Sequence, residues 1–208
     1  MKTSHIVNAL ATVQAAILEN EANIESLDRA IGDGDHFINV RRGCEVLMAM
    51  SPELTGLDPG QALHKIGMKL LGTIGGASGP LISSFFIAMG KSLDGLEEPD
   101  RSHFAAAFAA GVDAIKARGK ADVGEKTMLD VLIPAARLLV KLTDEGATLE
   151  TICAQLKSDA TDNMNATRDM IATKGRAYFL GERALGHIDP GAKTCEVAIT
   201  AVCDAVQA

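Results

Sequence analysis

Tryptophan is absent from this chain, tyrosine occurs once, and aromatic residues make up only 3% of its 208 positions. A core built on large flat rings is thereby excluded. The 47% hydrophobic content must come mainly from Ala, Leu, Ile, Val and Met, a composition suited to packed helices. Basic residues are also in deficit, with 20 Lys and Arg against 27 Asp and Glu and a net charge of −7. Nucleic acid and anionic membranes are poor partners for such a surface. A phosphate-bearing ligand would then need metal ions or a nest of backbone N–H groups. The four cysteines, Cys44, Cys153, Cys195 and Cys203, show no C-x-x-C spacing. That argues against a disulfide framework or a zinc site and fits reduced thiols in a cytoplasmic protein. No stretch approaches the roughly 20 apolar residues of a membrane-spanning helix. The apolar run 6–18 is interrupted by Asn8, Thr12 and Gln14 and makes a poor signal peptide. One domain over residues 1–208 is expected at this length.

Hydrophobic periodicity predicts eight helices and no strand. The first covers about 4–20, with Ile6, Leu10, Val13 and Ile17 on one face. The second covers 38–50 and stops at Ser51-Pro52, because proline disfavours helical geometry in its predecessor. The third spans 59–71 behind Pro59, and the fourth spans 79–91 behind Pro80. A fifth is capped by Ser102 and stopped by Gly119, a residue that tolerates the left-handed conformation. A sixth covers 127–144 with Pro134 inside it, a seventh runs from the Thr148 cap to 173, and the last covers 191–206. Short joints make neighbouring helices antiparallel, which gives an all-α, antiparallel eight-helix bundle or barrel. In such a bundle alternate joints lie at the same end. The joints 28–39, 72–80, 119–128 and 175–191 are the ones rich in Gly, Asp, Ser, Thr and Arg. They therefore converge on one end and form a single polar site.

In the first of these joints Asp28, Asp33 and Asp35 fall close together, separated by glycines that allow tight turns. Crowded carboxylates repel unless a cation sits among them, and Mg²⁺ favours carboxylate and phosphate oxygens. A single Asp-Gly pair would be an ordinary turn. The second joint, Gly72 to Pro80, passes through Gly75, Gly76, Ala77 and Ser78 into a helix start, where free N–H groups attract phosphate. Close packing of small residues would also explain it. The third joint imitates a Walker A loop, but Glu125 stands between Gly124 and Lys126 and no strand precedes it. Lys126 is expected there as a solvated charge at a helix start, with Gly119, Thr127 and Met128 free to line a nucleotide. In the fourth joint Arg176 and Arg183 offer planar forks suited to phosphate, ahead of the rigid Asp189-Pro190-Gly191 turn.

Together these motifs resemble the nucleotide-binding L subunit of dihydroxyacetone kinase over nearly the whole chain. The matching runs are G-D-G-D-H at 32–36 with Asn39, G-G-A-S-G-P at 75–80, R-G-K-A at 118–121, K-T-M at 126–128, K-G-R-A at 174–177, L-G-E-R at 180–183 and D-P-G-A at 189–192. The resemblance implies an eight-helix barrel with the nucleotide capping one end. It implies two Mg²⁺ ions on Asp28, Asp33 and Asp35, and ADP or ATP held by His36, Asn39, Ala77, Ser78, Gly119, Met128, Arg176, Asp189, Pro190 and Gly191, with Gly76 and Thr127 of the same joints expected beside them. The implied reaction passes phosphate from a phosphohistidine protein of the phosphoenolpyruvate-dependent phosphotransferase system, through bound ADP, to dihydroxyacetone on a separate K subunit. It needs positioning and charge neutralisation rather than a nucleophilic side chain. A homodimer is compatible with the resemblance. An ATP-dependent kinase for a small ketose and a non-catalytic nucleotide-sensing module are the alternatives. Phe37, Tyr178 and the Lys193-Thr194 pair depart from the family's usual residues, and Phe37 is expected beside the phosphates, where it would reshape access.

Overall fold

Glycines let two helices approach with their backbones almost touching, and the chain uses this at α4 (Pro59–Leu71) and α5 (Ser78–Ser92). A Cβ on Gly60 would meet the Leu93 carbonyl oxygen at 2.8 Å, and one on Gly90 the His64 nitrogen at 2.6 Å. Around this pair the computed structural model, which describes residues 2–76 and 78–208, places α1 (Thr3–Glu19), α2 (Glu21–Ile31), α3 (His36–Leu54), α6 (Arg101–Gly119), α7 (Leu129–Asp144), α8 (Leu149–Ala166) and α9 (Pro190–Gln207). Two short 3-10 segments, Thr167–Asp169 and Ala177–Ala184, complete the elements, and no strand is present among the described residues. From α3 onward each α-helix packs on the next in the chain, α1 packs on α3, and α9 returns to pack on α1.

The core follows that order. Leu47, Met50, Leu54, Leu63, Ile66 and Leu70 join α3 to α4, with Met89 of α5 beside them. Val112, Ile115, Leu129 and Ile133 join α6 to α7. Phe85 bridges the two clusters and meets the Phe86 and Phe108 rings edge-on at 5.2 and 5.6 Å. No helix among the described residues is long and apolar enough to cross a membrane.

Nine α-helices among the described residues, rather than eight, is the first correction. α2 follows α1 after the single residue Asn20 and buries Ile24, Asp28 and Ile31 on one face. One residue gives the chain no room to reverse, so α2 lengthens this arm without disturbing the alternation of ends. Asp28 consequently stands on a helix, not in a loop. Further corrections concern helix ends. α3 begins at His36 and runs past Pro52 to Leu54, since a proline in the last turn forfeits a single backbone bond. Asp100, not Ser102, caps α6 by accepting from the His103 N–H at 2.9 Å. Lys120, not Gly119, takes the left-handed conformation after α6, with φ of 50°. Gly119 instead stays helical with its Cα side against Leu81. Thr148 caps α8 as expected, yet α8 stops at Ala166 instead of 173.

Candidate functional site

The polar joints meet pairwise across the molecule. Arg176 Nε lies 2.7 Å from Asp33 Oδ2, tying the fourth joint to the first. A Cβ on Gly75 would lie 3.5 Å from Asn39 Oδ1, which sets the second joint against the start of α3. Gly191 sits beside Met128, with its Cβ position 3.5 Å from the Met128 Cβ, so the third and fourth joints are in contact. Thr173 adds a backbone N–H to the Glu125 carbonyl at 3.3 Å and a hydroxyl bond to the Glu125 carboxylate at 2.7 Å. Ala77 lies outside the described residues. Its neighbours Gly76, with φ of 67°, and Ser78, the first residue of α5, place a left-handed turn directly ahead of a helix N-terminus.

Asp28 is buried at 4% exposure, and its Oδ2 accepts the His36 backbone N–H at 3.0 Å. This bond fixes the turn 32–35 between α2 and α3. A Cβ on Gly32 would fall 1.8 Å from Asp28 Oδ1, so only glycine leaves the carboxylate its place. Asp35 precedes α3, and burial together with the adjacent Asp33 carboxylate raises its carboxyl above the ordinary value while a hydrogen bond from Asn39 opposes the rise. Asp33 is turned to Arg176. Among the described residues no three His, Cys, Asp or Glu side chains converge as a ready ligand cluster. The donor set still suits a hard divalent cation, since it is all carboxylate oxygen and its own repulsion already favours protonation of Asp35.

The His36 ring meets α9. Its Nε2 lies 2.8 Å from Thr194 Oγ1, and burial holds the imidazole below its ordinary value against the pull of Asp28, Asp35 and Asp33. Thr194, one of the residues that depart from the family pattern, thus positions the histidine. Phe37 overturns its expectation. At 2% exposure it packs with Ile17, Ile24 and Val197 beneath the loop and cannot reach a phosphate, and Arg41 covers its ring at 6.0 Å.

The third joint is organised by Asp130, whose carboxylate accepts the Gly124 N–H through Oδ1 and the Thr127 N–H through Oδ2. Lys126 is the second overturned expectation. Far from being solvated, it is 1% exposed, with φ of 59°. Its ammonium donates to the carbonyls of Thr167 at 2.5 Å and His187 at 2.6 Å. The Thr167 carbonyl, just past the end of α8, accepts this ammonium as well as the Met170 N–H of the 3-10 turn. Asp189 caps α9 through the Ala192 N–H at 2.7 Å, and burial raises its carboxyl to about 7. Asp130 and Thr167 gave no sequence signal beyond their residue types, and the K-T-M run marked Lys126 without indicating its partners, which are backbone carbonyls of distant residues.

The DAK2 domain family model matches residues 30–204. The ADP-binding subunit DhaL of a PEP-dependent dihydroxyacetone kinase from Escherichia coli is 35% identical over 192 residues, covering 92% of this chain and 91% of that one. A protein of Lactococcus lactis, described as the ADP-binding subunit DhaL of a PTS-dependent dihydroxyacetone kinase, is 40% identical over 179 residues, covering 86% and 84%. Among solved structures, the C. freundii dihydroxyacetone kinase in complex with AMP-PNP and Mg²⁺ superposes with a TM-score of 0.73 at 25% identity, covering 95% of this chain and 33% of that longer one. The fold, the ordered joints and these near full-length likenesses place the chain in the DAK2-domain family, beside the bacterial DhaL subunits.

Proposed function

We propose that this chain is the ADP-binding subunit of a phosphoenolpyruvate-dependent dihydroxyacetone kinase. The observation that carries this reading is the near end-to-end likeness to chains described as ADP-binding subunits. A phosphohistidine protein of the phosphotransferase system would recharge the bound ADP, and the resulting ATP would phosphorylate dihydroxyacetone held by a K subunit. α1 and α3 to α9 form the eight members of a closed antiparallel barrel in this reading, with α2 as an extension at the site end. The single domain 1–208 acts in the cytoplasm, alone or as a homodimer.

Asp28, Asp33 and Asp35 would hold two Mg²⁺ ions, which neutralise phosphate charge and align the transferred group. Asn39 and the turn through Gly76, Ala77 and Ser78 would steady the phosphates, with His36 behind them. Gly119, Thr127, Met128 and the Asp189-Pro190-Gly191 turn would hold the remainder of the nucleotide. Arg176, now on Asp33, is close enough to exchange that carboxylate for a phosphate oxygen. No side chain need act as a nucleophile, because in-line transfer between bound phosphate and partner needs positioning and charge neutralisation. Tyr178 and Phe179, 56% and 77% exposed and stacked edge to face two and three residues after Arg176, suit a partner docking at this end.

The test is reconstitution. Purified chain, K subunit and dihydroxyacetone are combined either with phosphoenolpyruvate and the phosphotransferase proteins or with ATP alone. Product formed only with the former supports the reading. Turnover driven equally by free ATP would make the chain part of an ATP-dependent kinase, and no turnover with either donor would favour a nucleotide-sensing module.

A further inference from the structure

A fully buried lysine ammonium needs several oxygen partners to replace its hydration, and few sequences provide them. Lys126 has them from two distant places in the chain. The Thr167 and His187 carbonyls lie at 2.5 and 2.6 Å, and the Arg168 carbonyl follows at 3.5 Å. The carboxylates of Asp189, Asp169 and Asp130 face its charge. Lys126 also adopts the left-handed conformation that a lysine rarely takes, so the chain accepts backbone strain to aim this side chain inward.

The same two places are joined a second time. Thr167 is wholly buried, its hydroxyl donates to the Met164 carbonyl at 2.7 Å, and its Oγ1 accepts the Asp189 N–H at 3.0 Å. Asp189 then caps α9. On the other side of Lys126, Asp130 holds the Thr127 N–H at 2.7 Å. Met128 lies beside Gly191, whose Cβ position would fall 3.5 Å from the Met128 Cβ. Thr127 and Met128 directly follow Lys126, and Asp189 to Gly191 follow its acceptor His187 by two to four residues, so one stretch on each side of the ammonium is assigned to the nucleotide.

We propose that Lys126 is a positioning residue, a tethered cation at which the joints after α6 and α8 converge, so that Thr127, Met128 and the Asp189 to Gly191 turn meet an adenine nucleotide as one preformed surface. This rests on the nucleotide reading of that end. Lys126 does not touch the ligand. It acts through the carbonyls it holds, and its loss lets two walls of the cradle move independently, so binding must then order them.

Lys126→Met keeps the apolar stem and removes the ammonium. Its affinity for ADP with Mg²⁺ is measured calorimetrically on the full chain, beside wild type and Leu54→Ala. Leu54 is fully buried at the opposite end of α3 from His36, so its loss lowers stability away from the site. The proposal expects Lys126→Met to bind at least about tenfold more weakly, while Leu54→Ala stays within about twofold of wild type. Equal losses in the two variants, or no loss in Lys126→Met, overturn it. Should Lys126→Met fail to fold, Thr167→Val decides, since it keeps the carbonyl and removes only the hydroxyl, with its bonds from the Asp189 N–H and to the Met164 carbonyl. A loss of about threefold or more supports the proposal and unchanged affinity overturns it. Wild-type protein that binds no ADP sinks the nucleotide reading itself, and the proposal with it.

Discussion

Replacing Asp130 by alanine tests whether the third joint is held from below. The side chain is 3% exposed and accepts two backbone N–H groups, from Gly124 and from Thr127, the latter at 2.7 Å. Hydrogen bonds to a charged acceptor contribute about 1.5 to 3 kcal/mol each, and unmade ones leave the donors desolvated. Both bonds are lost in Asp130→Ala, so the expected cost is about 3 to 6 kcal/mol, a large part of the roughly 5 to 15 kcal/mol that holds a domain together. Asp130→Asn keeps one acceptor and turns an amide N–H₂ toward the other donor. Its cost is expected near half of that. Urea unfolding followed by helical circular dichroism gives both values, and an unchanged slope shows that the unfolded state is not what moved. Hydrogen exchange at the Gly124 and Thr127 amides provides the local readout and should quicken in both variants. An alanine variant within about 1 kcal/mol of wild type, with those two amides still protected, would refute the reasoning.

Three other outcomes follow from the packing and the charges. Phe37→Leu should cost about 1 to 1.5 kcal/mol of stability while leaving ADP affinity within about twofold, because the ring fills core space. A large affinity change with intact stability would return Phe37 to the phosphates. Gly90→Val brings a branched side chain against backbone that a Cβ would already meet at 2.6 Å, and should cost at least about 3 kcal/mol in thermal or urea unfolding. A near-neutral result would mean that α4 and α5 can separate freely. The Asp189 carboxyl is raised to about 7 by burial, so the folded chain keeps a proton that the unfolded chain releases near its ordinary value of 3.8. That contribution to stability is full below about pH 4 and is lost as pH rises through 7, so Asp189→Asn should gain on wild type across this window by at most about 4 kcal/mol. A difference in unfolding free energy that stays constant from pH 4 to 8 would contradict it.

Helix α4 was legible to the residue, since Pro59 marks its start and Leu63, Ile66 and Leu70 stripe its buried face. The convergence of the polar joints was legible too, because it needs only the alternation of ends. α2 was missed for a reason within its own stripe: the buried position between Ile24 and Ile31 is Asp28, and a carboxylate there interrupts the apolar period. The true end of α8 could not be read locally, because neither Gly nor Pro stands between 160 and 173 to mark a stop at Ala166. Lys126 itself was misread since lysine is seldom buried, and nothing in the sequence around it says which carbonyls it will meet. The His36 partner, Thr194, lies 158 residues away. What sequence carried was the type and order of the polar groups; what it withheld was which of them face the ligand and which hold the others still.

In the proposed function ADP binds through metal held by Asp28, Asp33 and Asp35. Titration of ADP into the nucleotide-stripped chain, with and without Mg²⁺, tests it most directly when repeated with Asp33→Ala and Asp35→Ala. The account predicts tight binding only with Mg²⁺ in the wild type, and a loss of at least about a hundredfold in each variant while its thermal unfolding stays close to wild type. Binding that is equally tight without Mg²⁺, or that survives both substitutions, would contradict it.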